Sequence, residues 1–99
     1  MFLLDSNILI YSAQHPYSFL RKYISEEQNS VSAISLIEVL GYWKLIPKDK
    51  TYFKACFELL EVLPVSDEVI AESVNLRSKY KMNTADAIIA ATCNVYKSN

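Results

Sequence analysis

The first thirteen residues, MFLLDSNILIYSA, change character within three positions. MFLL is a continuous apolar run, suited to a strand buried on both faces. DSN brings three residues that favour turns and helix N-caps, and ILIYSA then reads as a short helix. The same switch recurs twice. SVSA at residues 30–33 leads into ISLIEVLGYWKL, and EVLPV at 61–65 leads into a helix capped by Ser66, with Asp67 and Glu68 at its positive end. Between these units, Pro16 opens a helix over PYSFLRKYISEEQ with an apolar stripe of Phe19, Leu20, Tyr23 and Ile24. Pro47 opens another that runs to about Leu60. The helix from Ser66 runs to about Tyr80, and Thr84 is expected to cap the last, with Asp86 at its second position and Tyr96 near its end. Short apolar strands alternating with helices predict an α/β fold, a short parallel sheet covered by helices on both sides. With no linker, repeat or low-complexity segment, residues 1–99 read as a single domain.

Composition narrows the function classes. The chain has 99 residues, 52% of them hydrophobic and 21% charged, the balance of a soluble globular protein. No apolar run approaches the ~20 residues of a membrane span, and the first charge is Asp5 where a signal peptide would carry basic residues; the expected place is the cytoplasm. Cys56 and Cys93 have neither CxxC spacing nor nearby histidines, and read as buried, reduced thiols. A net charge of −1 gives no general pull toward nucleic acid, so an RNA-binding role requires a local basic patch. The chain has one glycine, Gly41, which excludes a Gly-rich phosphate loop and a dinucleotide fingerprint.

Three lone acids lie in three apolar runs: Asp5 in MFLLDSNILIYSA, Glu38 in SVSAISLIEVLGYW and Asp86 in NTADAIIAATCNVY. Asp5 ends the first strand, the edge of an open parallel sheet where ligands bind; it can equally be a helix cap. Asp86 can equally serve the dipole of its own helix. Glu38, flanked by Ile34, Ile37, Leu40 and Tyr42, has no polar face around it. Isolated buried carboxylates cost several kcal/mol, of order, and three sharing one site repel. A hard divalent cation resolves both difficulties, since Mg²⁺ is held by carboxylates together with water and substrate phosphate.

Taken together, LLDSNILIY, VSAISLIEVLGY and NTADAIIAATC resemble, in order and separation, the three acidic motifs of the PIN domain, especially the VapC-type toxin ribonucleases. The resemblance covers most of the chain. It implies a three-layer α/β/α fold and a Mg²⁺- or Mn²⁺-dependent endoribonuclease that hydrolyses RNA phosphodiesters and is held in check by a cognate antitoxin. Residue by residue, it puts Asp5, Glu38 and Asp86 at the metal-ligand and catalytic positions. Asn7 matches the polar residue of the first motif and Thr84 the small hydroxyl residue before the third acid; both would position the ligands. The resemblance also implies a further strand and a fourth acid that have no counterpart after YKSN. On that reading the chain is a C-terminally truncated PIN-like domain, MFLL is an unpaired sheet edge, and self-association as a homodimer or higher oligomer covers it.

Two competing readings remain. One is a non-catalytic PIN-like remnant that docks a partner. The other, an aspartyl-phosphate receiver or dehalogenase-like phosphatase, also places an aspartate at a strand end, but the phosphatase pattern needs an acid where this chain has Asn7, and the receiver's lysine is missing. His15, before Pro16, reads as an exposed loop residue. Lys44, Lys48, Lys50 and Lys54 read as a solvated face that could meet phosphate, and the tyrosines follow helical spacing as core and interface residues more than as base-stacking platforms.

Overall fold

The computed structural model describes residues 3–25 and 29–96. Three short strands, β1 (Leu3–Leu4), β2 (Ser30–Ser32) and β3 (Glu61–Leu63), form one parallel sheet in the order β1-β2-β3. The register pairs Leu4 with Val31 and Val31 with Val62. Around it lie α1 (Ser6–Ser12), α2 (Arg21–Ser25), α3 (Ala33–Leu40), α4 (Pro47–Leu59), α5 (Asp67–Lys79) and α6 (Thr84–Tyr96). This is the expected α/β architecture, a parallel sheet flanked by helices. β2 is central, and all three of its residues are buried, as a strand covered on both faces must be. β1 stands at the edge, paired to β2 alone among the described strands. β3 stops at Leu63 because Pro64 has no N–H to donate to the ladder.

The core gathers Leu4, Leu9, Ile24, Val31, Val39, Phe53 and Phe57 from every layer. At its side, Ser12 ties three helices together. Its Oγ bonds the Leu9 carbonyl at 2.7 Å and the Tyr52 hydroxyl at 2.8 Å, while Arg21 Nε donates to its carbonyl at 2.9 Å. The Arg21 guanidinium lies 4.9 Å from the centre of the Tyr52 ring. Burial raises both the Tyr52 phenol and the Cys56 thiol above their ordinary pKa values. Ala87 and Ala91 on α6 are fully buried, and α6 is tied to α5 by hydrogen bonds from Arg77 to Thr84 and from Asn94 to Glu72.

Several expectations are corrected. The helix opened by Pro16 is a 3₁₀ helix at His15–Leu20 with non-helical geometry at Tyr17 (φ −111°, ψ 17°), followed by α2. Phe19 is exposed while Ile24 is buried, so the apolar stripe does not act as one face; residues 26–28 lie outside the described part. α3 ends at Leu40, short of YWKL, because Gly41 caps it: its N–H donates to the Ile37 carbonyl at 2.9 Å. A Cβ at Gly41 would come within 2.4 Å of that carbonyl oxygen, a close approach that only glycine permits. Cys56 is buried as expected, but Cys93 is exposed. Tyr11, Tyr17, Tyr42 and Tyr80 are exposed rather than core. No helix of the described residues is long and apolar enough to cross a membrane.

Candidate active site

β1 runs directly into α1, and Asp5 sits at that junction. Its backbone is extended (φ −77°, ψ 151°) and its Oδ1 accepts the Asn7 backbone N–H at 3.3 Å. Asp5 is therefore the N-cap of α1, with an exposed carboxylate, and its capping role is realised. Asn7 takes part through its main chain, with its side chain on the exposed face of α1.

The next residue, Ser6, was not expected to matter, yet it organises this edge. It is 5% exposed, and its Oγ donates to Glu38 Oε1 at 2.8 Å and lies 2.9 Å from the Oγ of fully buried Ser35. A hydroxyl carries one proton and a carboxylate only accepts. Ser6 Oγ is the donor toward both Ser35 Oγ and Glu38 Oε1, so its one proton serves either acceptor in turn. Ser6 thus joins α1 to two positions on α3. It draws Glu38 to within one residue of Asp5. The sequence signal was present but faint: Ser6 and Ser35 are small polar residues at otherwise apolar positions. Glu38 itself is exposed, which corrects the expectation of a buried acid. The apolar residue beside it, Ile37, is exposed too.

Asp86 is held differently. Asn83, not Thr84, caps α6: its Oδ1 accepts the Asp86 backbone N–H at 2.8 Å, and its Nδ2 donates back to Asp86 Oδ2 at 3.0 Å. The first bond is an ordinary N-cap and the second joins the two side chains; together they put Asp86 at the third helical position. Adjacent Asn and Thr are both competent caps, so local preference alone did not separate them. Thr84 is engaged elsewhere. Its Oγ1 accepts from Arg77 Nη1 at 3.1 Å, while Arg77 Nε donates to the Met82 carbonyl at 3.1 Å. Arg77 thereby clamps the α5–α6 turn.

The three acids are not drawn into one cluster. Among the described residues no group of three or more His, Cys, Asp or Glu side chains is placed to hold a metal ion. The donor chemistry nevertheless suits a hard cation, since exposed carboxylates are the oxygen ligands it takes, and Mg²⁺ is commonly bound by one or two of them with water and substrate phosphate completing the shell. Asp5 adjoins Ser6 in sequence and Glu38 accepts its hydrogen bond, so two exposed carboxylates flank the β1–α1 junction.

A family model described as the PIN domain matches residues 2–99. Among solved structures, the chain is similar to a chain of a toxin-antitoxin complex from Klebsiella pneumoniae, with 28% identity and a TM-score of 0.78, over 98% of this chain and 81% of the other. No curated protein sequence matches it.

Proposed function

The chain belongs to the PIN domain family, and from that premise we propose that it is a metal-dependent ribonuclease of toxin–antitoxin type, VapC-like, cleaving RNA phosphodiesters. PIN domains are in general divalent-metal-dependent nucleases, and the similar solved chain comes from a toxin-antitoxin complex. The observation that carries the reading is the edge built by Asp5 and Glu38. Both carboxylates are exposed at the carboxyl end of β1, and Glu38 is fixed there by the buried Ser6 hydroxyl. A bound Mg²⁺ or Mn²⁺ would neutralise the carboxylates and the scissile phosphate.

In this proposal Asp5 and Asp86 would hold the ion, with Glu38 assisting directly or through water. Glu38 and Asp5 orient the attacking water at the sheet edge. Ser6 and Asn83 restrict the carboxylates of Glu38 and Asp86, and Asn7 and Thr84 support the helix starts that carry Asp5 and Asp86. The protein partner is an antitoxin, and a second copy of the chain pairs with the exposed β1 edge; light scattering across a concentration series tests the latter, and a stable monomer throughout would remove it.

The test of the activity is cleavage of a labelled single-stranded RNA with Mg²⁺ or Mn²⁺, comparing the chain with Asp5→Asn. The expected result is metal-dependent cleavage by the first and none by the second. The dispersal of the three acids favours one other reading, a non-catalytic PIN-like binding module. Absence of cleavage by either protein, together with no measurable Mn²⁺ binding, would establish it.

A further inference from the structure

We propose that the loop leaving α3, together with the first turn of α4, is a binding surface for single-stranded RNA, with Trp43 as its stacking platform and Lys44, Lys48 and Lys50 as phosphate contacts. The inference rests on the ribonuclease reading and gives that site a surface to hold its substrate.

The loop exists because α3 cannot continue past Gly41, the one glycine of the chain. Glu38 lies in the last turn of α3 just before it, which puts the loop next in sequence to one of the proposed catalytic acids. Beyond Gly41 the chain turns two aromatic rings outward. Trp43 is 83% exposed, the highest of any large apolar side chain described, and the Tyr42 ring lies 6.5 Å away at 55°. Lys44 Nζ lies 4.8 Å from the centre of the Trp43 ring, a cation–π contact that steadies the indole without burying it. An indole this open, with a second exposed ring beside it, offers a free π-face on which a base can stack.

Charge decides the occupant. The whole chain carries −1, yet residues 44–50 hold three exposed lysines against one aspartate, Asp49. A second copy docked on this surface by a two-fold contact would bring the same lysines face to face, a like-charge arrangement that is costly. Single-stranded RNA supplies both complements at once. Its bases have π-faces for the indole and its phosphates meet the lysines. It is also the polymer that the neighbouring carboxylates would cut. The surface therefore supplies the local basic patch that a chain of near-neutral charge needs in order to bind nucleic acid.

Trp43 is the sole tryptophan, so its emission reports on this surface alone. The experiment titrates the full chain with a short oligouridylate in EDTA, where metal-dependent cleavage is silenced, and follows both Trp43 emission and the anisotropy of a labelled copy of the same RNA. Stacking should quench Trp43 along the same curve that the anisotropy traces. Trp43→Ala should weaken binding by roughly 5- to 100-fold, Trp43→Phe should restore much of it, and removal of Lys44 and Lys48 together should flatten the salt dependence by about 1.4 in logarithmic slope. RNA binding with unchanged Trp43 emission would overturn the proposal, because the RNA would then lie elsewhere. So would a concentration-dependent blue shift without RNA, since a protein surface would then cover the indole. Metal-dependent cleavage without quenching leaves the ribonuclease reading standing and removes this one; quenching without cleavage in Mg²⁺ or Mn²⁺ does the reverse.

Discussion

Glu38 and Asp86 are both exposed acids that accept a hydrogen bond from a polar side chain, but they are held by different parts of the fold. Glu38 depends on Ser6, 32 positions away in sequence and buried between α1 and α3. Asp86 depends on Asn83, three positions away and exposed with it. The first arrangement exists only when the sheet and its helices have assembled. The second forms wherever α6 forms. One acid therefore reports on tertiary structure, the other on local structure, and a nuclease built on both needs each kind of order for a different ligand.

The sharpest way to break this contrast is Ser6→Ala. It removes the donor to Glu38 and leaves the buried Ser35 hydroxyl without its neighbour. Loss of a buried hydrogen-bonded partner costs about 1–3 kcal/mol, and urea unfolding should show a loss in that range. Ser6→Thr, which keeps the hydroxyl, should recover part of it. A double-mutant cycle with Glu38→Gln should show coupling, because the two side chains share one hydrogen bond. If Ser6→Ala and Glu38→Gln simply add, the Ser6 hydroxyl does not hold Glu38 in solution.

Asn83→Ala should have a smaller effect, about 1 kcal/mol, the usual cost of losing an N-cap. Its mark should be local: faster amide exchange in the first turn of α6, with β2 and α3 unaffected. Thr84→Ala should leave that turn's capping intact, since Thr84 accepts from Arg77 and does not cap the helix. Equal exchange effects from the two variants would reassign the cap to Thr84.

The same split between local and tertiary contacts explains what could be read from the chain. Strand-to-helix switches at Asp5 and Ser66 were legible because a cap lies within three residues of its partner. In each case the structure finds the cap where the residue type put it: Ser66 Oγ accepts from the Val69 N–H at 3.3 Å. The end of α3 was missed because YWKL continues an apolar pattern that periodicity alone reads as helix, and the close approach at Gly41 is invisible to periodicity. Ser6 was missed for the opposite reason. Its partner is distant, and nothing in DSN says that the second residue faces inward while the first and third face solvent. That the three acids do not form one cluster is likewise a matter of how α6 sits on the sheet, which three ordered motifs do not encode.

The smallest predicted effect carries the contrast onto a single side chain. Glu72 on α5 accepts from Asn75 Nδ2 at 3.0 Å within its own helix, and from Asn94 Nδ2 at 3.0 Å across to α6. The Asn75 amide first, and Asn94 after it, lower the Glu72 pKa below the ordinary glutamate value, since both donors favour the charged carboxylate. A carboxylate whose pKa is lower folded than unfolded contributes stability above its unfolded pKa, and loses it as pH falls through the folded value. The change of stability with pH is therefore confined to the acid side of the ordinary glutamate range, about 4.3, and the contribution is fully present at neutral pH. An NMR titration of Glu72 should place its midpoint below that range. Asn75→Ala should move it up the most and Asn94→Ala by less, because one contact is built into α5 while the other requires α6 to be docked. If Asn94→Ala leaves the midpoint where it was, the tertiary contact is not formed in solution and the lowered value belongs to the helix alone. If the two variants move it equally, contact across the helix pair is as firmly held as contact along one, and the α5–α6 hairpin behaves as a single unit.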